Sequence, residues 1–329
     1  MKVALCFIIS YNHSLNKEHI WREWIQPNED IINVYFHYKS YSKITSTWIK
    51  DHAMPLEYIA PTSYYHVVPA YINLLSWGYS QDPENKWFCM LTESCVPIIS
   101  PSHFRNLFFQ NYHYSILRWK KAWWNIHLNS RANLRFLTEE FHLGNDPWFV
   151  LKREDAYPCI KYASSNNVLF QRVCKGGLAN ESIFAIILHG LKLLDDVKNE
   201  ISHATDWDKM SSPTSPYVFK HGTQEDIEFI DTFLTKHKYT MFLRKVDAGF
   251  PDKIIKDYLN RPGPSSWSFH SILQLFDMNI MNLTIKNKIP TLFILIKKAL
   301  AFLFFIFIGM IHYMYYECLY PFTPLYKKD

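Results

Sequence analysis

Short apolar runs bounded by turn residues alternate along the chain with stretches in which apolar side chains recur every three or four positions. The runs at 3–9, 31–36, 87–91, 114–117, 148–151 and 240–243 have the length and continuity of buried strands. Segments 17–24, 67–79, 103–110, 181–191 and 224–234 show helical spacing. This order predicts an α/β fold, a Rossmann-like mixed sheet with helices on both faces that binds ligands at the carboxyl ends of its strands. A different pattern begins at residue 289. Residues 299–316 hold no formal charge and a single histidine, His312, and 289–296 extend the apolar stretch upstream. About 18 to 20 such residues span a bilayer core, and the run lacks the polar face that a soluble helix keeps. The expected organisation is therefore one domain over 1–250, an irregular connecting segment over 251–288, a transmembrane helix over 289–316 and a polar tail over 317–329. Lys286, Lys288, Lys297 and Lys298 precede the apolar stretch, whereas Lys327 and Lys328 follow it beside Asp329. That excess places the large N-terminal part on the cytosolic side of a membrane.

Composition narrows the picture further. With 48% hydrophobic residues in 329, the chain can bury a large core, so disorder is excluded. The net charge of +5 is dispersed and forms no basic block, which argues against a nucleic-acid partner. Aromatics make up 17% and suit stacking on sugar faces as well as core packing. Six cysteines, Cys6, Cys89, Cys95, Cys159, Cys174 and Cys318, form no CxxC pair and no dense framework, so neither structural zinc nor a disulfide scaffold is expected. Walker, GxGxxG, HExxH and GxSxG motifs are absent from the sequence.

The informative feature is an ordered series of short segments. Leu91-Thr92-Glu93-Ser94-Cys95-Val96-Pro97 follows a strand, and Trp148-Phe149 leads to Arg153-Glu154. Asn180-Glu181-Ser182 opens the apolar helical stretch after Gly176-Gly177, and Asp206-Trp207-Asp208, Phe219-Lys220-His221 and Phe242-Leu243-Arg244-Lys245 come after it. Together with Ala70-Tyr71-Ile72-Asn73-Leu74-Leu75, this string resembles the core-2/I-branching β-1,6-N-acetylglucosaminyltransferases and their xylosyltransferase and plant-like relatives, over roughly residues 1–250. The family's Ser-Glu-Ser-Cys turn here begins with Thr92.

The resemblance implies a GT-A-type fold and an inverting transfer from a UDP-sugar to a hydroxyl of a glycan or glycosylated acceptor, without a metal cofactor. Glu181 is similar in position to the family's catalytic Glu, and Lys245 to a lysine on the diphosphate, with Arg244 assisting. A further cation would come from Lys220 or His221, where this chain departs from the family. Glu93, Trp148, Asp206 and Trp207 are the candidate sugar and acceptor contacts. Each residue also has a plainer reading. Glu181 is equally placed to be a helix-end charge, Arg244 and Lys245 to be solvated, and Asp206-Trp207-Asp208 to be a nominal metal triplet. The alternative function is a degenerate, non-catalytic membrane protein that binds sugar or nucleotide sugar.

Overall fold

A computed structural model describes residues 1–9, 12–165, 167–212 and 215–262. The expected transmembrane helix and polar tail lie outside these residues. Among the described residues no helix is long and apolar enough to cross a membrane.

The central sheet has the order β2-β1-β3-β7, from β1 (Lys2–Ile8), β2 (Ile32–His37), β3 (Asn85–Thr92) and β7 (Val150–Lys152). Its first three strands run parallel and β7 is antiparallel to β3. Between β3 and β7 in the chain lie β4 (Val96–Pro97), β5 (Trp119–Lys121) and β6 (Leu143–Asn145). A second sheet joins β4 to β9 (Phe242–Arg244) and β8 (His203–Thr205), and β5 pairs with β6.

Alternation of side chains explains why β1 reads as one unbroken apolar run. Val3, Leu5 and Phe7 enter one core, while Ala4, Cys6 and Ile8 enter the other, as a strand covered on both faces requires. The first core is filled by α1 (Glu18–Ile25), α2 (Thr47–Asp51) and α4 (Pro101–Asn111). The opposite core takes α3 (Val68–Gln81), α5 (Arg153–Ser164), α6 (Val168–Cys174) and α7 (Ile183–Gly190). The expected mixed α/β sheet with helices on both faces is thus present. Helix starts are set by local chemistry. The Ser100 hydroxyl accepts from His103 N ahead of Pro101, and Thr223 and Asp226 form a reciprocal capping box on α8 (Gln224–Lys236).

Three elements depart from the sequence expectation. Segment 114–117 forms no strand, only isolated bridges from Ile116 to Val150 and Lys198. Arg153-Glu154, outside the segments of helical spacing, opens α5, which continues through Pro158 because Ala156 and Cys159 are buried against the sheet. The Arg153 guanidinium donates to the Tyr79, Asp82 and Asn85 carbonyls and stacks on the Tyr79 ring at 3.6 Å, so it ties the end of α3 to the start of β3. The third is α9 (Asp252–Leu259), which occupies the first part of the segment expected to be irregular. Ile255 and Tyr258 are buried in a third core with Val96, Phe219 and Leu243, and Lys17 and His19 both bind Asp252 at 2.6 Å. The compact unit therefore extends past residue 250.

Candidate active site

At the carboxyl ends of β1, β3 and β9 lies a cleft of about 320 Å³. Glu93, Trp148, Glu181, Trp207, Arg244 and Lys245 line it, joined by Asn12, Asn16, Lys39, Tyr64 and Tyr71. Open α/β sheets bind ligands at this end, where the strands diverge and loops supply the polar groups.

One wall is the turn after β3 locked to the end of β9. Val246 N donates to Ser94 O at 2.8 Å, and the Asn16 side chain bridges to Val246 O at 2.8 Å while its own N–H binds Glu93 O at 2.9 Å. Arg244 is nearly buried there. Its guanidinium donates to the Thr92 and Ser94 hydroxyls and lies 3.9 Å above the Trp148 ring. Trp148 itself is backed by His203, a fully buried histidine held neutral because burial and then the Arg244 charge push its pKa well down. Lys245 donates to Ser215 Oγ at 2.7 Å. Burial lowers its pKa, the Arg244 charge lowers it further, and Glu93 opposes both. Burial raises the pKa of Glu93, against the pull of Arg244 and Lys245.

Glu181 belongs to another part of the lining. It ends a 3-10 turn, Ala179–Glu181, and α7 begins only at Ile183, so Glu181 is not in the first turn of the α-helix. The amide of Ala185 in that first turn is instead bound by Asn145 Oδ1 at 3.2 Å, and Asn145 also donates to Asn180 O. The Glu181 carboxylate pairs with Arg131, both side chains being mostly buried at 16% and 19% exposure. Burial raises the Glu181 pKa, Arg131 pulls it down, and the nearby Asp146 charge pushes it up. Asp146 is itself raised to about 6 by burial, against the attraction of Arg118 and Lys120.

Three sequence candidates are not brought into the cleft. Lys220 and His221 line a separate surface depression with Lys209, Met210 and Tyr217. The reason is that Phe219 is buried in the third core and turns its neighbours outward. Asp206 is buried and spends Oδ1 on the Asp208 and Lys209 amides at 2.9 and 3.0 Å, shaping the turn that exposes Trp207, 46% accessible, to the cleft. Among the described residues there is no group of three or more His, Cys, Asp or Glu side chains arranged to hold a metal ion.

Arg131, Asp146, Lys39 and Tyr64 were not reached from sequence. Lys39, Tyr64 and Asp146 lie between elements and Arg131 opens a 3-10 turn, and only folding places them beside the candidates. In a cleft that holds a buried carboxylate and two cations, the carboxylate can accept a proton and the cations can neutralise a departing anion.

No curated protein matches the chain. The sequence pattern of the Core-2/I-Branching enzyme family matches residues 5–231, which run from β1 into α8 and contain Glu93, Trp148 and Glu181. The chain belongs to the Core-2/I-branching enzyme family and is a glycosyltransferase.

Proposed function

We propose that the protein moves a sugar, N-acetylglucosamine or xylose, from a UDP-sugar to a hydroxyl of a glycan or glycosylated acceptor with inversion, in a GT-A-type catalytic domain. The observation that supports this reading most is the convergence in one cleft of buried Glu181 with the Arg244–Lys245 pair. Glu181 takes the proton from the acceptor hydroxyl as its oxygen attacks the anomeric carbon. The bond from that carbon to the diphosphate breaks, and UDP leaves with its new negative charge facing Lys245 and Arg244. Trp207, exposed at the cleft, offers ring surface to the sugars, whereas the Trp148 ring is covered by Arg244 and shapes the wall behind it. The family match ends before β9, so for the two cations the support is their place in the cleft and the likeness of Phe242-Leu243-Arg244-Lys245 to the family's strand. Release of UDP by the full-length protein, compared across a panel of UDP-sugars with and without chelator, tests the reading. One or two donors are expected to give turnover that chelator leaves intact; no UDP from any donor, with ligand-induced thermal stabilisation alone, favours the binding-only alternative.

From the sequence we also propose that 289–316 anchors the chain with the catalytic part at a cytosolic membrane face. Full-length protein is expected in the membrane fraction, and a chain ended at Lys286 in the soluble one. Protection of the N-terminal part from protease in intact vesicles would reverse the topology.

A further inference from the structure

We propose that Arg131 is the positioning residue of the base: its guanidinium, fixed on Trp124, holds the Glu181 carboxylate in one orientation and in its charged form. The inference rests on the reading of Glu181 as the base.

Three sets of observations carry it. The first is the pair itself, a carboxylate and a guanidinium joined where both are mostly shielded from water. At such a site an opposite charge is screened far less than at the surface. The second is the mounting of Arg131. Its Cζ lies 4.5 Å over the Trp124 ring and 5.9 Å from that of Trp123, and the two indoles pack edge to face at 4.9 Å. A planar cation stacked on an indole keeps its donors pointed in one direction, which a free lysine does not. Third, the backbone ties the two loops together. Ala132 and Asn133 both adopt left-handed conformations, φ 53° and 52°, which turns the chain back just after Arg131. Ala132 N donates to Gly177 O at 2.9 Å, and the Asn133 side chain to Arg172 O at 2.9 Å. A Cβ at Gly176 would come within 2.7 Å of Ser130 O and Ala132 C, so only glycine admits this approach. The chain that leads to Glu181 is thereby fastened to the turn that carries Arg131.

The charge balance around Glu181 gives the arrangement its purpose. The groups facing its carboxylate are Arg131, the like-charged Asp146 and the buried Tyr71 phenol. Burial and Asp146 both favour the protonated acid, and a protonated carboxyl cannot act as base. Among the described residues Arg131 supplies the attraction set against them. It also fixes the orientation of the carboxylate in the cleft that Lys245 lines as well, where the acceptor oxygen has to lie between base and donor.

The test uses the full-length protein with Arg131→Met and Arg131→Lys. Titration of Glu181 is followed by the infrared carboxyl band present in wild type and missing in Glu181→Gln. The acidic limb of kcat/KM is measured with the UDP-sugar that the donor panel identifies. In Arg131→Met both band and limb are expected to move up by about one to three pH units, the usual effect of one close opposite charge. Turnover is then recovered at high pH, and Arg131→Lys falls between the two. Trp124→Leu, which removes the shelf and keeps the charge, moves both in the same direction by less and tests the claim should Arg131→Met fail to fold. An unmoved band overturns the role of Arg131. A band that moves while the limb stays, with Glu181→Gln still turning over, overturns instead the reading of Glu181 as the base.

Discussion

Glu181→Gln is expected to lower sugar transfer about 100- to 10,000-fold while leaving UDP-sugar affinity within a few-fold of the parent, since a positioned base contributes that much. Glutamine keeps the size and one acceptor oxygen but takes no proton at any working pH. Its effect should be concentrated in kcat, because the substitution leaves the side chains of Arg244 and Lys245 unchanged. The plainer explanation of this residue makes a different forecast. A helix-end charge is worth about 0.3 to 1 kcal/mol, yet Glu181 sits two residues before α7, and the Ala185 amide is satisfied by Asn145. Substitution does leave Arg131 facing a neutral amide in a poorly solvated place, so a fall in the thermal midpoint accompanies the loss of rate. Transfer is therefore measured per folded enzyme at a temperature where both forms are native. Turnover near the parent value would leave Glu181 as an ion-pair partner only and remove it from the chemistry.

Much of the sheet was legible because its strands announce themselves. β1 is covered on both faces, and a strand without a wet side has no polar alternation to blur it. Helix α7 was legible in the same way, from an apolar run that is almost fully buried. Other elements were hidden by the rules that usually help. Pro158 disguises α5, because a proline inside a helical pattern normally ends it, and here buried Ala156 and Cys159 hold the helix together around it. Helix α9 is two turns long between Pro251 and Pro262, and its apolar side is Ile254, Ile255 and Tyr258, too short a pattern to stand out before its partners in the third core are known.

The site divides along a similar line. Residues at the ends of strands were found, since Glu93 and Lys245 each follow a strand directly, Arg244 is the last residue of one, and such positions converge in an open sheet. Lys220 and His221 were misplaced because a residue next to a buried phenylalanine faces the other way, and the burial of Phe219 depends on helix packing far along the chain. Asp206 was read as a sugar contact from its neighbourhood, whereas its carboxylate serves the turn that presents Trp207. Arg131 lies fifty positions before its partner, at the start of a kinked 3-10 turn whose sequence has neither α-helical nor strand period, and the approach permitted by Gly176 sets it against Glu181.

Lys245→Met is expected to reduce transfer about 100- to 1,000-fold, the usual cost of removing one preorganised charge from a site where negative charge develops. Two cations, Arg244 and Lys245, stand side by side in the cleft. Burial and then Arg244 disfavour the Lys245 ammonium, and Glu93 supports it. That mutual opposition is relieved when a diphosphate enters between them, so the repulsion present in the free enzyme favours binding and, more strongly, the charge that grows as UDP departs. The two positions then differ in what else they hold. Arg244 is fixed to Thr92, Ser94 and the Trp148 ring, so Arg244→Met loses both rate and thermal stability. Lys245 is held by the Ser215 hydroxyl, so Lys245→Met should keep the thermal midpoint while kcat falls and the donor KM rises. Lys245→Arg, which restores a cation of different shape, should recover part of the rate. Donor kinetics and melting of the three variants, in buffer containing chelator, make the comparison. A Lys245→Met enzyme with kcat and donor KM within twofold of the parent removes this lysine from the leaving-group site. Loss of all activity with chelator, restored by manganese and abolished by Asp208→Asn, would transfer the charge-neutralising role to a metal at the Asp206-Trp207-Asp208 turn.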